Sequence, residues 1–210
     1  MEKKEVRLED HGIIAYKDAW ILQEELMQQN IRAKTAARES PEPTQTRHHF
    51  LLCEHPPVYT LGRNGNMANV LLSEEQLQEN QVEFYHTNRG GDITFHGPGQ
   101  VVGYPILDLE NFYTDIGRYI FEIEEMVIRT LAEYSITGGR SKGETGVWID
   151  AEIPARARKI CAIGIRCSRW ITMHGFALNV NTALDYFDHI IPCGIAGKQV
   201  TSIEKELGHR

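Results

Sequence analysis

Apolar residues recur at helical spacing between Ala15 and about Lys34, where Tyr16, Ala19, Trp20, Leu26 and Met27 share one face. A clearer stripe runs from Thr114 to Tyr134: Ile116, Tyr119, Ile120, Ile123, Val127 and Leu131 make a single apolar face. Thr114 or Asp115 can cap its start, and Gly138-Gly139 follow its end. Strand patterning marks residues 5–8 and 12–14, His49 to Cys53, Val58 to Leu61, Val82 to His86 and Val101 to Leu109. Thr145 to Ile149, Lys159 to Cys167 and Ile171 to Asn179 then read as consecutive strands. Pro105 lacks an N–H, so an edge position or a bulge is expected there. Ser73 is a candidate N-cap for a short helix, and Ser202 to Leu207 a candidate closing helix. Thr35 to Arg47, with Pro41 and Pro43, reads as an exposed polar loop. Strands in runs, instead of strict alternation with helices, predict an α+β fold: a mixed, largely antiparallel sheet with flanking helices.

The chain has 210 residues, enough to bury a real core, and its simplest organisation is one domain over 1–210. The first ten residues are charged and carry no apolar leader, and no apolar run approaches a membrane span. The expected location is therefore cytoplasmic, with no membrane partner. A net charge of −7 argues against nucleic acid, which needs a cationic surface. The charge is uneven, however. Arg156, Arg158, Lys159, Arg166 and Arg169 fall between Pro154 and Trp170 with no acidic residue among them. That run predicts a local basic patch for an acidic partner. His48, His49, Cys53 and His55 lie close in sequence but lack the second ligand pair a zinc site usually has, so no metal is expected.

The most informative stretch is Arg89 to Pro105, RGGDITFHGPGQVVGYP. Its glycines permit positive φ and close backbone approach, while Arg89 and His96 can point charge and hydrogen bonds into the resulting concavity. Arg-Gly-Gly-x-x-Thr-x-His-x-x-Gly-Gln-x-x-x-Tyr, from Arg89 to Tyr104, resembles the signature of the lipoyl(octanoyl) transferases. HPPVYTLGR at His55 to Arg63, KICAIG at Lys159 to Gly164, HGFALNVN at His174 to Asn181 and PCGI at Pro192 to Ile195 agree with that family, in matching order. The resemblance implies a fold similar to the biotin and lipoate protein ligases, with no metal or nucleotide cofactor. It implies transfer of octanoyl from acyl carrier protein, through a cysteine thioester, to a lysine of lipoyl domains. Those acceptors belong to 2-oxoacid dehydrogenase complexes and to the glycine cleavage H protein. Carrier and acceptor are often acidic, which suits the basic run. The matching substrate-binding stretches are Arg89, Gly90, Gly91, Asp92, Ile93, Thr94, Phe95 and His96; Ala162, Ile163 and Gly164; and His174, Gly175, Phe176 and Ala177.

Four cysteines are present, without a C-x-x-C pair, and all read as free thiols. Cys161 and Cys167 lie in apolar strands and Cys53 ends one, whereas Cys193 sits in a turn-like segment between Pro192 and Gly194. Cys193 is therefore the candidate nucleophile, and the resemblance pairs it with Lys159 as a Cys/Lys dyad. His96 and His174 are candidates for lining the site. Backbone N–H groups near Gly194 or in the Gly90-Gly91 turn are candidate oxyanion donors. Phe95, Ile163, Phe176 and Leu178 could line an acyl tunnel, with Gly164 and Gly175 leaving room for the chain. Two other readings stand beside this one: an ATP-dependent lipoate–protein ligase, and a non-catalytic lipoyl-domain or acyl-chain binder. A ligase needs no nucleophilic cysteine, so Cys193 speaks against the first. The joint presence of Cys193 and Lys159 speaks against the second.

Overall fold

The computed structural model describes residues 4–39, 45–191 and 199–209. Strand β10 (Ile171–Asn179) lies at the centre, and all nine of its residues are buried. Its side chains alternate between two cores, because a strand presents opposite faces at successive residues. Phe176 and Leu178 join a cluster with Tyr119, Ile123, Val127 and Leu131 of helix α3 (Ile116–Glu133). Met173 and Ala177 join another with Ala19 and Met27 of helix α1 (Tyr16–Glu39). The two helices thus cover opposite faces of one sheet.

Among the described residues this sheet has eight strands. Its path runs β1 (Val6–Ile13), β2 (His48–Glu54), β6 (Gln100–Ile106), β10, β9 (Arg158–Ser168), β8 (Glu144–Ile149) and β7 (Gly138–Ser141). β11 (Gln199–Val200) adds to β9 in parallel, and β1 pairs with β2 in parallel; the other neighbours are antiparallel. A smaller sheet holds β3 (Val58–Leu61) between β4 (Glu83–His86) and β5 (Ile93–His96). The expected α+β class and mixed, largely antiparallel sheet are what the structure contains. Helix α2 (Glu74–Glu79) opens with a capping box between Ser73 and Gln76. The Asp115 carboxylate caps α3 by accepting from the Arg118 N–H at 2.9 Å, and α4 (Ile203–Leu207) is capped by Ser202.

Several boundaries differ from the sequence expectation. The loop expected from Thr35 begins with five residues of α1, because the Lys34 ammonium anchors that end of the helix. It donates to Asp108 Oδ1 at 2.7 Å and to the Arg169 carbonyl at 2.8 Å. The two short strands expected at 5–8 and 12–14 are one bulged strand, Val6–Ile13, with Gly12 at φ 55. β6 ends at Ile106, and Leu109 lies in a 3₁₀ turn capped by Asp108. Pro105 is internal to the sheet, not on an edge. Its pairing with β2 is intact, while the register with β10 stops at Phe176 and Gly103, so the missing N–H falls where that ladder has ended. β7 and β11 are too short to leave a sequence period.

Asp108 is a joint of this frame. It is 3% exposed, and its carboxylate accepts from Lys34, Thr46 Oγ1 and the Glu110 N–H. Asp108→Ala leaves Lys34 with Glu110 Oε2, at 3.0 Å, and the Arg169 carbonyl, but takes the acceptor from Thr46 Oγ1 and the Glu110 N–H, so urea denaturation should show a loss of about 2 kcal/mol.

Candidate functional site

A cavity of about 410 Å³ lies between the glycine-rich stretch and strands β9 and β10, within the size range of ligand pockets. Arg89 fixes one wall. Its guanidinium, 8% exposed, donates to the carbonyls of Thr60 (2.5 Å), Asp92 (2.8 Å) and Gly90 (3.0 Å) and to Thr60 Oγ1. Those bonds curl the chain around the arginine, with Gly91 at φ 86, a conformation that favours glycine. The Gly90 N–H donates to the Ile165 carbonyl at 2.8 Å, which docks the turn onto β9. That amide is therefore committed to β9, which leaves the Gly91 N–H, at the cavity wall, as the candidate oxyanion donor of this turn; Gly194, the alternative, lies outside the described residues.

The cavity brings together Arg89, Gly91, Asp92, Ile93, Thr94, His96, Lys159, Ala162, Ile163, Gly164, His174, Gly175, Phe176 and Ala177. Gly90 lies behind this wall. Phe95 points away, buried in a third core and stacked on Tyr186 at 4.4 Å, and Leu178 packs under α3. Gly164 and Gly175 make room for backbone instead of ligand. A Cβ at Gly164 would meet the Gly90 carbonyl oxygen at 2.7 Å, and one at Gly175 would run into the Gly103 carbonyl. Cys193 lies outside the described residues. Lys159 projects from β9 opposite Trp148, its ammonium 4.7 Å from the indole centroid.

Sequence reasoning missed Tyr16, Gln100, Tyr104, Asn179 and, from the β7–β8 hairpin, Gly143, Glu144 and Thr145, all of which line the cavity. Gln100 and Tyr104 stood in the quoted motif, and Asn179 in HGFALNVN. Tyr16 was hidden in an apolar helical stripe.

Both histidines are held neutral. Gln100 donates through Nε2 to the Phe95 carbonyl and Asn179 Oδ1, so its Oε1 accepts from His96 Nδ1 at 2.8 Å. Asn88 donates to Glu24, so its Oδ1 accepts from His174 Nε2 at 2.7 Å. Burial, with the Arg89 charge nearby, drives the His174 pKa down to about 3 and that of His96 well below the usual range. Burial also raises the thiols of Cys53, to about 12, of Cys161 and of Cys167, leaving them poor nucleophiles.

The basic run is acid-free along the chain but not in space. Arg158 forks onto Glu206 and also meets Asp150 at 2.6 Å; Arg156 meets Asp150 at 3.1 Å; Arg166 meets Glu24 at 2.7 Å. The expected patch is thus largely neutralised by acids from other elements. His48, His49 and His55 turn to separate partners: Asp108, Glu9 and Tyr104. Among the described residues no three His, Cys, Asp or Glu side chains gather as a metal site, and no described helix is long and apolar enough to cross a membrane.

The architecture is that of the lipoate protein ligases. A bipartite lipoate protein ligase from Thermoplasma acidophilum superposes with a TM-score of 0.65 at 13% identity, over 96% of this chain and 76% of that one. LipL1 of P. falciparum, solved with lipoate, gives a TM-score of 0.67 at 11% identity, over 98% of this chain and 55% of that one. Within this class, the chain belongs to the lipoyl protein ligase A/B catalytic domain family, which it matches over residues 15–210. A curated relative from Flavobacterium psychrophilum, an octanoyltransferase, is 58% identical over 205 residues, covering 98% of this chain and 88% of its own.

The buried histidines give stability a pH signature. His174 titrates near ~6.5 when unfolded but at about 3 in the fold. Between those values the unfolded chain binds the proton and the native one does not, so stability is lost as pH falls through this window. Urea midpoints should drop from pH 7 to pH 4, and less steeply in His174→Gln.

Proposed function

We propose that this chain is an octanoyltransferase, a single catalytic domain over 1–210 acting in the cytoplasm. It takes octanoyl from acyl carrier protein and delivers it to a lysine of lipoyl domains, including those of 2-oxoacid dehydrogenase complexes and the glycine cleavage H protein. The observation that carries this reading is the 58% identity to an octanoyltransferase over 98% of the chain. It gains support from Lys159, the cation of the expected dyad, lining a cavity that also carries the apolar side chains of Ile93, Ile163 and Phe176. The ligase alternative shares the fold, and a fold does not choose between them.

In this reading the Cys193 thiolate attacks the carrier thioester. A new C–S bond forms, the old one breaks, and the carrier leaves as a thiol. The lysine amine of the acceptor then attacks the Cys193 thioester, forming the amide and releasing the thiolate. A free thiol titrates near ~8.5, so it needs help at neutral pH. A cation ~4 Å away at an effective dielectric of ~20 supplies roughly 4 kcal/mol before desolvation. That is the role assigned to Lys159: its ammonium gives a proton to the departing carrier sulfur, and the neutral amine so formed takes the proton of the incoming lysine amine. Arg158 and Arg166, ion-paired as they are, do not support carrier docking on that run.

Intact mass spectrometry after incubation with octanoyl carrier protein tests the assignment. A thioester adduct should map to Cys193 and vanish in Cys193→Ala. Lys159→Ala should stay folded, alkylate with iodoacetamide only at higher pH, and slow both half-reactions. An adduct on Cys53, Cys161 or Cys167 would overturn the assignment. Pyrophosphate release from ATP and lipoate would favour a ligase.

A further inference from the structure

Lys159 is held in place by two buried residues outside the stretches quoted above. The first is Trp148, 1% exposed, whose indole face lies beneath the ammonium at 4.7 Å. An indole face attracts a cation electrostatically and removes rotamer freedom from the lysine stem. The second acts at one remove. The β8–β9 register shifts between Val147 and Trp148, where β9 carries Ile160 as an extra residue, and this brings Trp148 opposite Lys159. Just before the slip, Gly146 adopts φ 122, and a Cβ there would lie 2.5 Å from the Cys161 carbonyl oxygen and 3.5 Å from Lys159 Cε. The lysine stem therefore runs across the bare face of Gly146. The Gly146 N–H donates to Glu124 Oε1 at 3.0 Å, and Glu124 Oε2 accepts from Arg140 Nε at 3.0 Å. Glu124 is 7% exposed, between Ile123 and Val127 on the core face of α3, where a carboxylate is costly unless bonded.

We propose that Trp148 and Glu124 are positioning residues for Lys159. Trp148 holds the ammonium at the cavity, and Glu124, through Gly146, holds the stretch of β8 across which the lysine passes. A cation already fixed in place needs no reorganisation when the thiolate forms, so its effect is larger than that of a mobile lysine. This inference rests on the reading of Lys159 as the partner of Cys193.

Two measurements separate the inference from that reading. The first is the pH profile of Cys193 alkylation by iodoacetamide, with kcat and KM for octanoyl carrier protein, on variants whose folding is verified by near-ultraviolet circular dichroism. Trp148→Leu and Glu124→Leu should move the profile towards that of Lys159→Ala and lower kcat by about tenfold, with KM unchanged. Trp148→Phe, which keeps a smaller ring, should fall between wild type and Trp148→Leu, and it carries the test if the leucine variant does not fold. Glu124→Gln keeps an acceptor for the Gly146 N–H and should rescue the profile. In the Lys159→Ala background none of these changes should shift it further. A wild-type profile in folded Trp148→Leu or Trp148→Phe and in Glu124→Leu, or an equal shift without Lys159, would overturn the proposal. The second measurement is the NMR shift of the Lys159 Cε methylene, which the indole ring current should displace upfield. Loss of that displacement in Trp148→Leu, or its reduction in Trp148→Phe, supports the placement; its absence from the wild type overturns it. An unchanged alkylation profile in Lys159→Ala, with the ring-current shift present in the wild type, would instead sink the dyad.

Discussion

Close approach of bare backbone to bare backbone is the constraint on which the rest of this structure depends. Gly62 lies against the carbonyl of Gly91, Gly164 against that of Gly90, and Gly175 against that of Gly103. At each contact a single methyl group would collide with a carbonyl oxygen. These contacts bring the small sheet, the glycine-rich turn and the central strands close enough to share one cavity wall. Arg89 then satisfies the carbonyls that the tight turn leaves pointing inwards, so the turn is stiff without a regular ladder.

The same closeness sets the electrostatics. Arg89 and the neighbouring cores take His96 and His174 out of water, and both remain neutral through the physiological range. His96 bonds to Gln100, which donates to Asn179, and His174 bonds to Asn88, which ties the motifs to one another. Asn179 in turn donates to the carbonyl of Thr201, whose own N–H donates to the Lys159 carbonyl. Polar residues that recur through the motifs thus form a buried scaffold around the cavity. Such a network costs stability wherever one member is unmatched and gives a unique arrangement when all are bonded.

Charge along the sequence and charge in space diverge. The five cations between Pro154 and Trp170 come from one strand and its flanks, but Glu24, Asp150 and Glu206 come from α1, the end of β8 and α4. Folding converts an apparent docking patch into ties between elements. Lys159 differs from its neighbours in facing the cavity and the Trp148 ring.

Element type was legible wherever a period was long enough to be read. The α3 stripe, the run of strands and the Ser73 cap follow from local sterics and the burial of one face, which short-range spacing records. The motif residues also marked the cavity wall, because Arg89, the glycines and His96 can turn close backbone and hydrogen bonds into a concavity. Only the tertiary structure decided which glycines make room for backbone, why Pro105 is tolerated inside a sheet, and that Phe95 and Leu178 point into cores. It alone brought Tyr16 to the cavity and acids to the basic run. Those outcomes depend on which residues distant in sequence meet across strands and helices. Register and ion pairing fix such contacts, and a single chain's spacing does not encode them.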